Sequence, residues 1–255
     1  MPVSFPFAAE PAEFLERPNR FRILARLHAT GAIVAAHCPN PGRLQELLLP
    51  HRGVTIYLSC AGEERFESAA FARPPRKTAY TLRLVAHPVD GTLISLDTAL
   101  PNALVWAALQ ARQLPPFAAL TALQREVSLP EAGGGAHRSR FDFAGIEPAG
   151  RRCWIEVKSV SLVEEGVALF PDAVTARGRR HLLELAGCVQ QGERAAVVFV
   201  VQRPDAAHVT AHRTADPAFA ATLAQVASTG VELHAWTTVV TLTGAALMCS
   251  IPVLS

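Results

Sequence analysis

Apolar and polar residues alternate with a period of two in short runs along the N-terminal part of the chain. The clearest run extends from Arg20 to His28, where Arg20, Arg22 and Arg26 alternate with apolar residues. This alternation predicts a strand with one apolar and one basic face. Further runs predict strands at 32–36, 54–60, 66–71, 78–86 and 92–96, with a short helical segment at 43–49. Short strands at this spacing favour a small β-barrel or sandwich.

Longer helices are predicted only in the C-terminal part of the chain. Apolar stripes at helical spacing and capping signals predict helices at 104–112, 174–190 and 216–228, the first of them capped by Asp97 or Thr98. The run Ala195–Val201 is apolar at every position, which is typical of a central strand in a sheet covered on both faces. Helices alternating with strands predict an α/β domain of mixed α+β type, whose central sheet is flanked by helices. The change of pattern divides the chain into domains at 1–90 and 91–255.

Candidate chemistry is concentrated in residues 138–158, which form two strand-like runs joined by a turn. In the second run Glu156 and Lys158 are two residues apart, so they share one face of a strand. In the first run Asp142 lies between two phenylalanines, at 141 and 143, and strict alternation places it on the face opposite to both rings. If the two strands pair across the turn, both carboxylates and the amine meet at one polar position beside an apolar sheet.

Two carboxylates beside a lysine suit metal-assisted hydrolysis. Mg²⁺ is held through one or two carboxylates while it keeps several waters. Such an ion lowers the pKa of a bound water and neutralises phosphoryl charge, and a lysine orients the water or stabilises the developing charge. The alternative is an exposed strand whose Glu–Lys pair is solvated and contributes little. Of the 24 Lys and Arg residues only Lys77 and Lys158 are lysines, which favours a specific role for Lys158.

The spacing Asp-(x13)-Glu-x-Lys resembles the core of the PD-(D/E)xK nuclease superfamily. Six ordered blocks, spread over nearly the whole chain, make the resemblance more specific. The blocks are FLERPNRF at 14–21, HCPN at 37–40, LPN at 100–102, SRFDF at 139–143, IEVKSV at 155–160 and FPDAVTARG at 170–178. Together they resemble the bacterial sugar fermentation stimulation protein A family. The resemblance implies an N-terminal OB-like barrel, a PD-(D/E)xK nuclease-like C-terminal domain and DNA binding.

The resemblance also implies roles for individual residues. Asp142 and Glu156 would hold Mg²⁺ or Mn²⁺, with a backbone carbonyl near Val157 as a further ligand, and Lys158 would assist the attack of water. In the superfamily a glutamate from a preceding helix often joins the metal site, and Glu126 occupies that place in the order of the chain. The alternative for Glu126 is a glutamate on the surface.

Basic residues in both predicted domains are candidates for contact with nucleic acid. The arginine face of the strand at 20–28 forms a positive strip that can follow phosphates, and the loop at 72–78 is also basic. On the helix at 174–190, Arg177, His181 and Glu184 share the face opposite to the apolar stripe. For each group the alternative is a solvated surface. The residues that we expect to contact nucleic acid are Arg20, Arg22, Arg26, Arg43, Arg76, Lys77, Arg140, Arg177 and His181.

Composition narrows the class of protein. The chain has 255 residues, of which 50% are hydrophobic and 18% charged, so a sizeable core is expected and disorder is not. The formal net charge is only +2, so binding of nucleic acid requires a local basic patch. No apolar run is long enough for a membrane span, and no secretory signal is evident. Five scattered cysteines are typical of thiols in a reducing cytoplasm.

Three functions follow from these observations. The first is a DNA-binding protein with a metal-dependent phosphodiesterase site, that is, a Mg²⁺-dependent nuclease. The second is a non-catalytic DNA-binding regulatory protein of sugar metabolism that keeps nuclease architecture. The third, an interaction module or a sugar-linked metabolic enzyme, has little support because the chain has no Gly-rich phosphate loop, dinucleotide fingerprint or zinc spacing. We expect nucleic acid, and DNA in particular, as the partner; a homodimer stays open.

Overall fold

The computed structural model describes residues 2–60, 78–129 and 139–255. The predicted strand at 66–71 and the basic loop with Arg76 and Lys77 lie outside the described residues. The strands that these residues form are β1 Val3–Ser4, β2 Glu10–Asn19, β3 Arg22–Leu27, β4 Ile33–His37, β5 Thr55–Cys60, β6 Tyr80–Ala86, β7 Leu93–Ser95, β8 Thr121–Ser128, β9 Arg140–Ile146, β10 Arg152–Val160, β11 Val163–Glu164, β12 Val167–Phe170, β13 Arg194–Val201, β14 His208–Ala211, β15 Glu232–Val240, β16 Gly244–Ile251 and β17 Val253–Leu254. The helices are α1 Leu100–Gln110, α2 Ala176–Gln190 and α3 Pro217–Ser228, with a short 3₁₀ turn at Pro115–Phe117.

The N-terminal strands form a closed barrel. Strands β2 to β7 are arranged in the order β4-β3-β2-β5-β6-β7. Strand β4 also pairs with β6 in parallel, with Ala36 opposite Tyr80, and this pairing closes five strands into the OB barrel. Apolar side chains from alternate positions fill its interior, as period-two alternation predicts. The segment at 43–49 forms turns rather than a helix.

The basic strand of the barrel begins later than its pattern indicates. Strand β3 starts at Arg22, and the preceding residue Phe21 still belongs to the turn, where its N–H donates to Asn19 Oδ1 at 2.9 Å. The Phe21 side chain is therefore 52% exposed instead of packing on the apolar face. This part of the strand prediction is wrong because the hydrogen bond to the Asn19 side chain extends the turn by one residue, to Phe21.

The C-terminal part of the chain is built on a seven-stranded mixed sheet in the order β1-β16-β15-β13-β10-β9-β8. Its centre is parallel, since β10 pairs with β13 and β13 with β15, whereas the outer pairs are antiparallel. Strand β1 joins this sheet from the N-terminus of the chain by pairing with β16. A smaller sheet has the order β11-β12-β14-β17. The central strand β13 is buried along nearly its whole length, as its continuous apolar run predicts.

Helices cover both faces of the large sheet. Residues of α2 and α3 pack on one face with Trp154 and Phe199, and α1 packs on the other face with Ile155 and Val198. The barrel contacts the α1 face, because Leu84 belongs to the same cluster. The sheet is thus a middle layer between two cores, which fixes the direction of every side chain on β10. None of the helices in the described residues is long and apolar enough to cross a membrane.

The helix starts follow capping chemistry, with one correction. Asp216 accepts a hydrogen bond from the N–H of Phe219 and caps α3, as the Asp-Pro signal predicts. Helix α1 begins at Leu100 with Ala99 as its cap residue, so the predicted capping by Asp97 or Thr98 is wrong. Asp97 Oδ1 accepts the N–H of Ala99, the residue before the helix, and Asp97 Oδ2 pairs with Arg83.

A buried ion pair joins the barrel to the start of α1. Arg83 on β6 and Asp97 pair with each other, and both side chains are almost fully buried. Arg83 also donates from Nε to Ser59 Oγ at 2.8 Å, and its guanidinium lies 4.5 Å from the centre of the Phe7 ring. The pair therefore connects the barrel, the N-terminal segment and the residues that precede α1.

We expect Asp97→Ala to lower the free energy of unfolding by about 3–5 kcal/mol, because it leaves a buried arginine without its counter-charge. Urea denaturation measures this loss. The double variant Arg83→Met, Asp97→Leu should lose less, since no charge remains buried. Glu13→Ala is the control, because it breaks the exposed Arg26–Glu13 pair and should cost at most about 1 kcal/mol. Equal losses in Asp97→Ala and Glu13→Ala would contradict this role.

Candidate active site

Strand β10 places Glu156 and Lys158 together on one face of the sheet. Their side chains lie on the α2 face with Trp154, and Lys158 Nζ donates to Glu156 Oε1 at 2.6 Å. Both side chains are largely buried, with 6% of Glu156 and 11% of Lys158 exposed. The shared face was predicted from their spacing and is confirmed. The solvated Glu–Lys pair, which was the alternative, is not what the strand forms.

Asp142 reaches the site through a break in the pairing of β9 with β10. The regular register ends where Phe143 faces Ile155. Beyond this point Asp142 Oδ2 accepts the N–H of Val157 at 2.7 Å, and Oδ1 accepts from Asn102 Nδ2 at 2.6 Å. The carboxylate of Asp142 thus takes the place of a backbone acceptor beside β10.

The same break corrects the predicted alternation around Asp142. Phe141 packs in the core on the α2 face, whereas Phe143 packs on the α1 face, so Asp142 does not oppose both rings. The neighbouring strand β8 is also irregular at this level, because Glu126, which lies opposite the break, has φ +52°. A residue in this region of φ turns the strand and switches the face of the residues that follow. Sequence alternation assumes a regular strand and therefore fails here.

His181 of α2 completes the site through a contact with Glu156 that the sequence did not predict. The sequence prediction placed His181 with Arg177 among the residues that contact nucleic acid. Its side chain is 3% exposed, and its Nδ1 lies 2.5 Å from Glu156 Oε1. Arg177 Nε donates to His181 Nε2 at 3.3 Å, so the partners assign the hydrogen to Nδ1, which donates to Glu156. The expectation that His181 shares a face opposite to the apolar stripe is wrong. The helix turns this residue inward because the buried carboxylate provides a partner.

The two oxygens of Glu156 are in different situations. Oε1 accepts from both Lys158 and His181. Oε2 is also buried, yet no described residue offers it a hydrogen bond. A buried carboxylate oxygen without a partner costs free energy, and a cation is one group that would satisfy it. Within the described ranges no three His, Cys, Asp or Glu side chains are grouped to hold a metal ion, but a two-carboxylate set fits Mg²⁺, which keeps several waters.

Burial and charge shift the pKa values of the two carboxyls in opposite directions. Burial, together with the neighbouring charge of Glu156, raises the pKa of Asp142 to about 6, against the hydrogen bonds from Val157 and Asn102. Burial also acts to raise the pKa of Glu156, but the hydrogen bond from His181 and the charge of Lys158 hold it below its ordinary value. The site therefore contains one carboxyl whose charged form is favoured, that of Glu156, and one whose charged form is disfavoured, that of Asp142.

Glu126 lies outside this arrangement. It belongs to the edge strand β8 and not to a helix, and its side chain is 54% exposed. Its carboxylate lies 3.1 Å from Arg140 Nη1, so these two predicted site residues pair with each other on the surface. The expectation that a helix presents Glu126 to the metal site is wrong, because residues 121–128 form a strand that pairs with β9. The alternative, a glutamate on the surface, is what the structure shows.

The predicted basic residues are divided between the two parts of the chain. Arg22 and Arg26 project from the outer face of β3, where Arg26 pairs with Glu13 at 2.7 Å. Arg20 and Arg43 lie at the turns that precede β3 and follow β4. Arg177 is exposed on the first turn of α2. Sequence reasoning missed Asn102 as a partner of Asp142, although it lies in the LPN block and that block was the available signal.

Comparisons with known proteins agree with this architecture. The family model described as "SfsA N-terminal OB domain" matches residues 15–96, and the model "Sugar fermentation stimulation protein RE domain" matches residues 99–244. A sugar fermentation stimulation protein homolog of Moorella thermoacetica is 43% identical over 234 residues, covering 92% of this chain and 91% of that protein. The homolog of Symbiobacterium thermophilum is also 43% identical, over 95% of this chain and 93% of its own.

A solved structure is similar over the whole length. SfsA from Pyrococcus furiosus, in complex with Ca²⁺, matches with a TM-score of 0.79 at 27% sequence identity. The match covers 100% of this chain and 98% of that chain. The similarity therefore includes both the barrel and the sheet that carries the candidate site.

The raised pKa of Asp142 predicts a stability that falls as pH rises. Its carboxyl prefers to be neutral in the folded chain, so its destabilising effect is absent below its unfolded pKa near 4 and complete above about 6. Asparagine offers only one acceptor oxygen and loses one of the two hydrogen bonds to Asn102 and Val157 at every pH, so the pH dependence carries the test. In EDTA, the free energy of unfolding of Asp142→Asn relative to the unchanged protein should rise by about 2–3 kcal/mol between pH 4 and pH 8. Urea denaturation at both pH values measures it.

Asp90→Asn is a control of opposite sign. Hydrogen bonds from Thr92 lower the pKa of Asp90 to about 2, so its charge stabilises the fold above pH 4 and its loss should lower stability at pH 8. If the stability of Asp142→Asn relative to the unchanged protein is the same at pH 4 and pH 8, the pKa of Asp142 is not raised by burial and by the charge of Glu156.

Proposed function

The chain belongs to the sugar fermentation stimulation protein family, and on that basis we propose that it is a DNA-binding, metal-dependent phosphodiester hydrolase. The observation that carries the proposal is the state of Glu156. One of its oxygens is fixed by Lys158 and His181, and the other is buried without a partner among the described residues. The charge of Glu156 also raises the pKa of Asp142. A protein that only binds DNA has no use for two close carboxylates where a phosphate approaches, because they repel it.

Asp142 and Glu156 are the residues that would hold Mg²⁺ or Mn²⁺. When bound, such an ion supplies a nucleophile from coordinated water and neutralises charge on the phosphoryl group. The relative from Pyrococcus furiosus is in complex with Ca²⁺. Since Ca²⁺ and Mg²⁺ both prefer oxygen ligands, that complex supports a hard-cation site in this chain.

The residues of the chain have distinct tasks in this proposal. The His181 hydrogen bond engages Glu156 Oε1, so Oε2 is the oxygen that would remain for a cation. Asn102 and the Val157 N–H hold Asp142 through hydrogen bonds. Lys158, which donates a hydrogen bond to Glu156, would orient the attacking water or stabilise the charge that develops on the phosphate. Arg177, exposed on α2 and bonded to His181, would contact the phosphate beside the scissile one.

The DNA-binding surface proposed here includes the barrel arginines. Arg20, Arg22 and Arg43 are on the barrel, and Arg140 and Arg177 flank the site in the second part of the chain. The net charge of +2 makes such local patches necessary, because the chain as a whole does not attract polyanions strongly.

The second candidate is a regulatory DNA-binding protein that does not cleave. The observation in its favour is that both oxygens of Asp142 already accept hydrogen bonds. Each carboxylate oxygen keeps a further lone pair, so this occupancy does not prevent binding of a cation. A cleavage assay separates the two candidates.

We expect cleavage of DNA in Mg²⁺ or Mn²⁺ and none in EDTA, with both Lys158→Ala and Asp142→Ala reducing the rate by about 100-fold or more. DNA affinity should be unchanged or higher in Asp142→Ala, because a negative charge next to the phosphate is removed. The assay uses single- and double-stranded DNA, with RNA in parallel.

Glu126→Ala is the matched control for this assay. It removes a carboxylate that is paired with Arg140 on the surface, so cleavage should persist. DNA binding without cleavage under every metal would favour the regulatory candidate. Cleavage by Asp142→Ala at the unchanged rate would refute the assignment of the metal site.

A further inference from the structure

An aromatic side chain is exposed at one end of the barrel. Phe21 is 52% exposed, and the guanidinium of Arg20 lies 5.9 Å from the centre of its ring. The backbone of Phe21 is held on both sides, since its N–H donates to Asn19 Oδ1 and its C=O accepts the N–H of Cys38, each at 2.9 Å. The ring therefore projects from a fixed turn.

Arg17 ties this turn to a second loop of the barrel. Its guanidinium donates to four backbone carbonyls, those of Arg20, Asn40, Gly42 and Arg43, over 2.7–2.9 Å. The Arg17 side chain therefore fixes the backbone of both loops, and it brings Arg20 and Arg43 to the same part of the surface. We call Arg20, Phe21 and Arg43 the turn surface.

The turn surface is joined to the region that leads to the candidate site. The N–H of Arg43 donates to Asp172 Oδ2 at 2.8 Å. A Cβ on Gly42 would lie only 2.2 Å from the same carboxylate oxygen, so glycine allows this close approach. Asp172 precedes the first turn of α2, which carries Arg177 and, one turn later, His181. Three of the six sequence blocks, at 14–21, 37–40 and 170–178, therefore meet at this junction.

We propose that the turn surface binds single-stranded nucleic acid and directs it along the first turn of α2 to Glu156 and Lys158. Phe21 stacks on an unpaired base, and Arg20 and Arg43 contact the phosphates on either side of it. Arg17 is a positioning residue that holds the three in place. This inference rests on the proposed function, and it adds the substrate class and the path of the strand.

The chemistry of the surface favours a single strand over a duplex. A projecting ring can stack only on a base whose face is accessible, and bases in a duplex are already stacked on one another. Stacking on an aromatic side chain combined with a basic track is how proteins bind single strands without reading sequence. A duplex would be bound through phosphates alone, and Phe21 would then contribute nothing.

The test is fluorescence anisotropy in EDTA with a labelled DNA strand of about 12 nucleotides, within the site sizes known for OB barrels, and with its duplex. The single strand should bind more tightly than the duplex. Phe21→Ala should weaken single-strand binding by about 10-fold and leave duplex binding unchanged, and Phe21→Trp should restore it. Arg151→Ala, which removes an exposed arginine at the opposite end of β10, should have no effect.

Two further variants test the charges of this surface and their position. Arg20→Ala with Arg43→Ala should reduce the slope of log affinity against log salt by about 1.4, since each lost phosphate contact of a single strand removes about 0.7. Arg17→Lys keeps the charge but cannot donate to four carbonyls. It should weaken single-strand binding and lower the salt slope as the loss of Arg20 and Arg43 does, because both arginines lose their position.

Each outcome decides between this inference and the function on which it rests. Equal or tighter binding of the duplex, or an unchanged affinity in Phe21→Ala, would overturn the turn surface even if metal-dependent cleavage is observed. If the unchanged protein binds neither form of DNA, the proposed function itself fails. If Arg17→Lys does not fold, the Phe21 and Arg43 variants still decide, because both side chains are exposed.

Discussion

The site depends on one buried carboxylate, of which one oxygen is hydrogen-bonded and the other has no partner among the described residues. Glu156 Oε1 accepts from Lys158 at 2.6 Å and lies 2.5 Å from His181 Nδ1. Removing such a group from water is costly unless it is paired and hydrogen-bonded, and the two donors offset that cost for one oxygen only. The partners come from β10 itself and from α2, so the helix must pack on the sheet at this register. The position of α2, and with it that of Arg177, follows from this requirement.

The geometry combines stabilising and destabilising contacts at the same place. His181 and Lys158 lower the pKa of Glu156, while Glu156 and burial raise the pKa of Asp142 to about 6. Two carboxylates held close together reduce the stability of the folded chain at neutral pH, and strain of this kind is typical of functional sites. The surrounding structure offsets it. The three parallel strands at the centre of the sheet are covered on both faces, and the Arg83–Asp97 pair joins the barrel to α1.

How much the sequence reveals depends on how regular the local structure is. The shared face of Glu156 and Lys158 follows from the period of a regular strand. The short alternating runs predict a small barrel or sandwich, and the choice of an OB-like barrel depends on the family resemblance. The arrangement around Asp142 does not follow from the sequence pattern, because the break in β9 and the positive φ of Glu126 leave no mark in the alternation of residues. His181 was predicted on the wrong face of α2 because helical periodicity counts histidine as a polar residue. In the structure His181 lies in the interior, where it pairs with the buried carboxylate of Glu156.

We propose that Glu156 and Asp142 bind a hard cation, Glu156 through Oε2, the oxygen that has no partner among the described residues. Titration calorimetry with Ca²⁺, which the related Pyrococcus furiosus protein binds, tests it without turnover, comparing the unchanged protein with Glu156→Gln. We expect one Ca²⁺ to bind per chain of the unchanged protein and a large loss of affinity in Glu156→Gln, whose amide carries no charge. Equal Ca²⁺ affinity in the two proteins would contradict the claim.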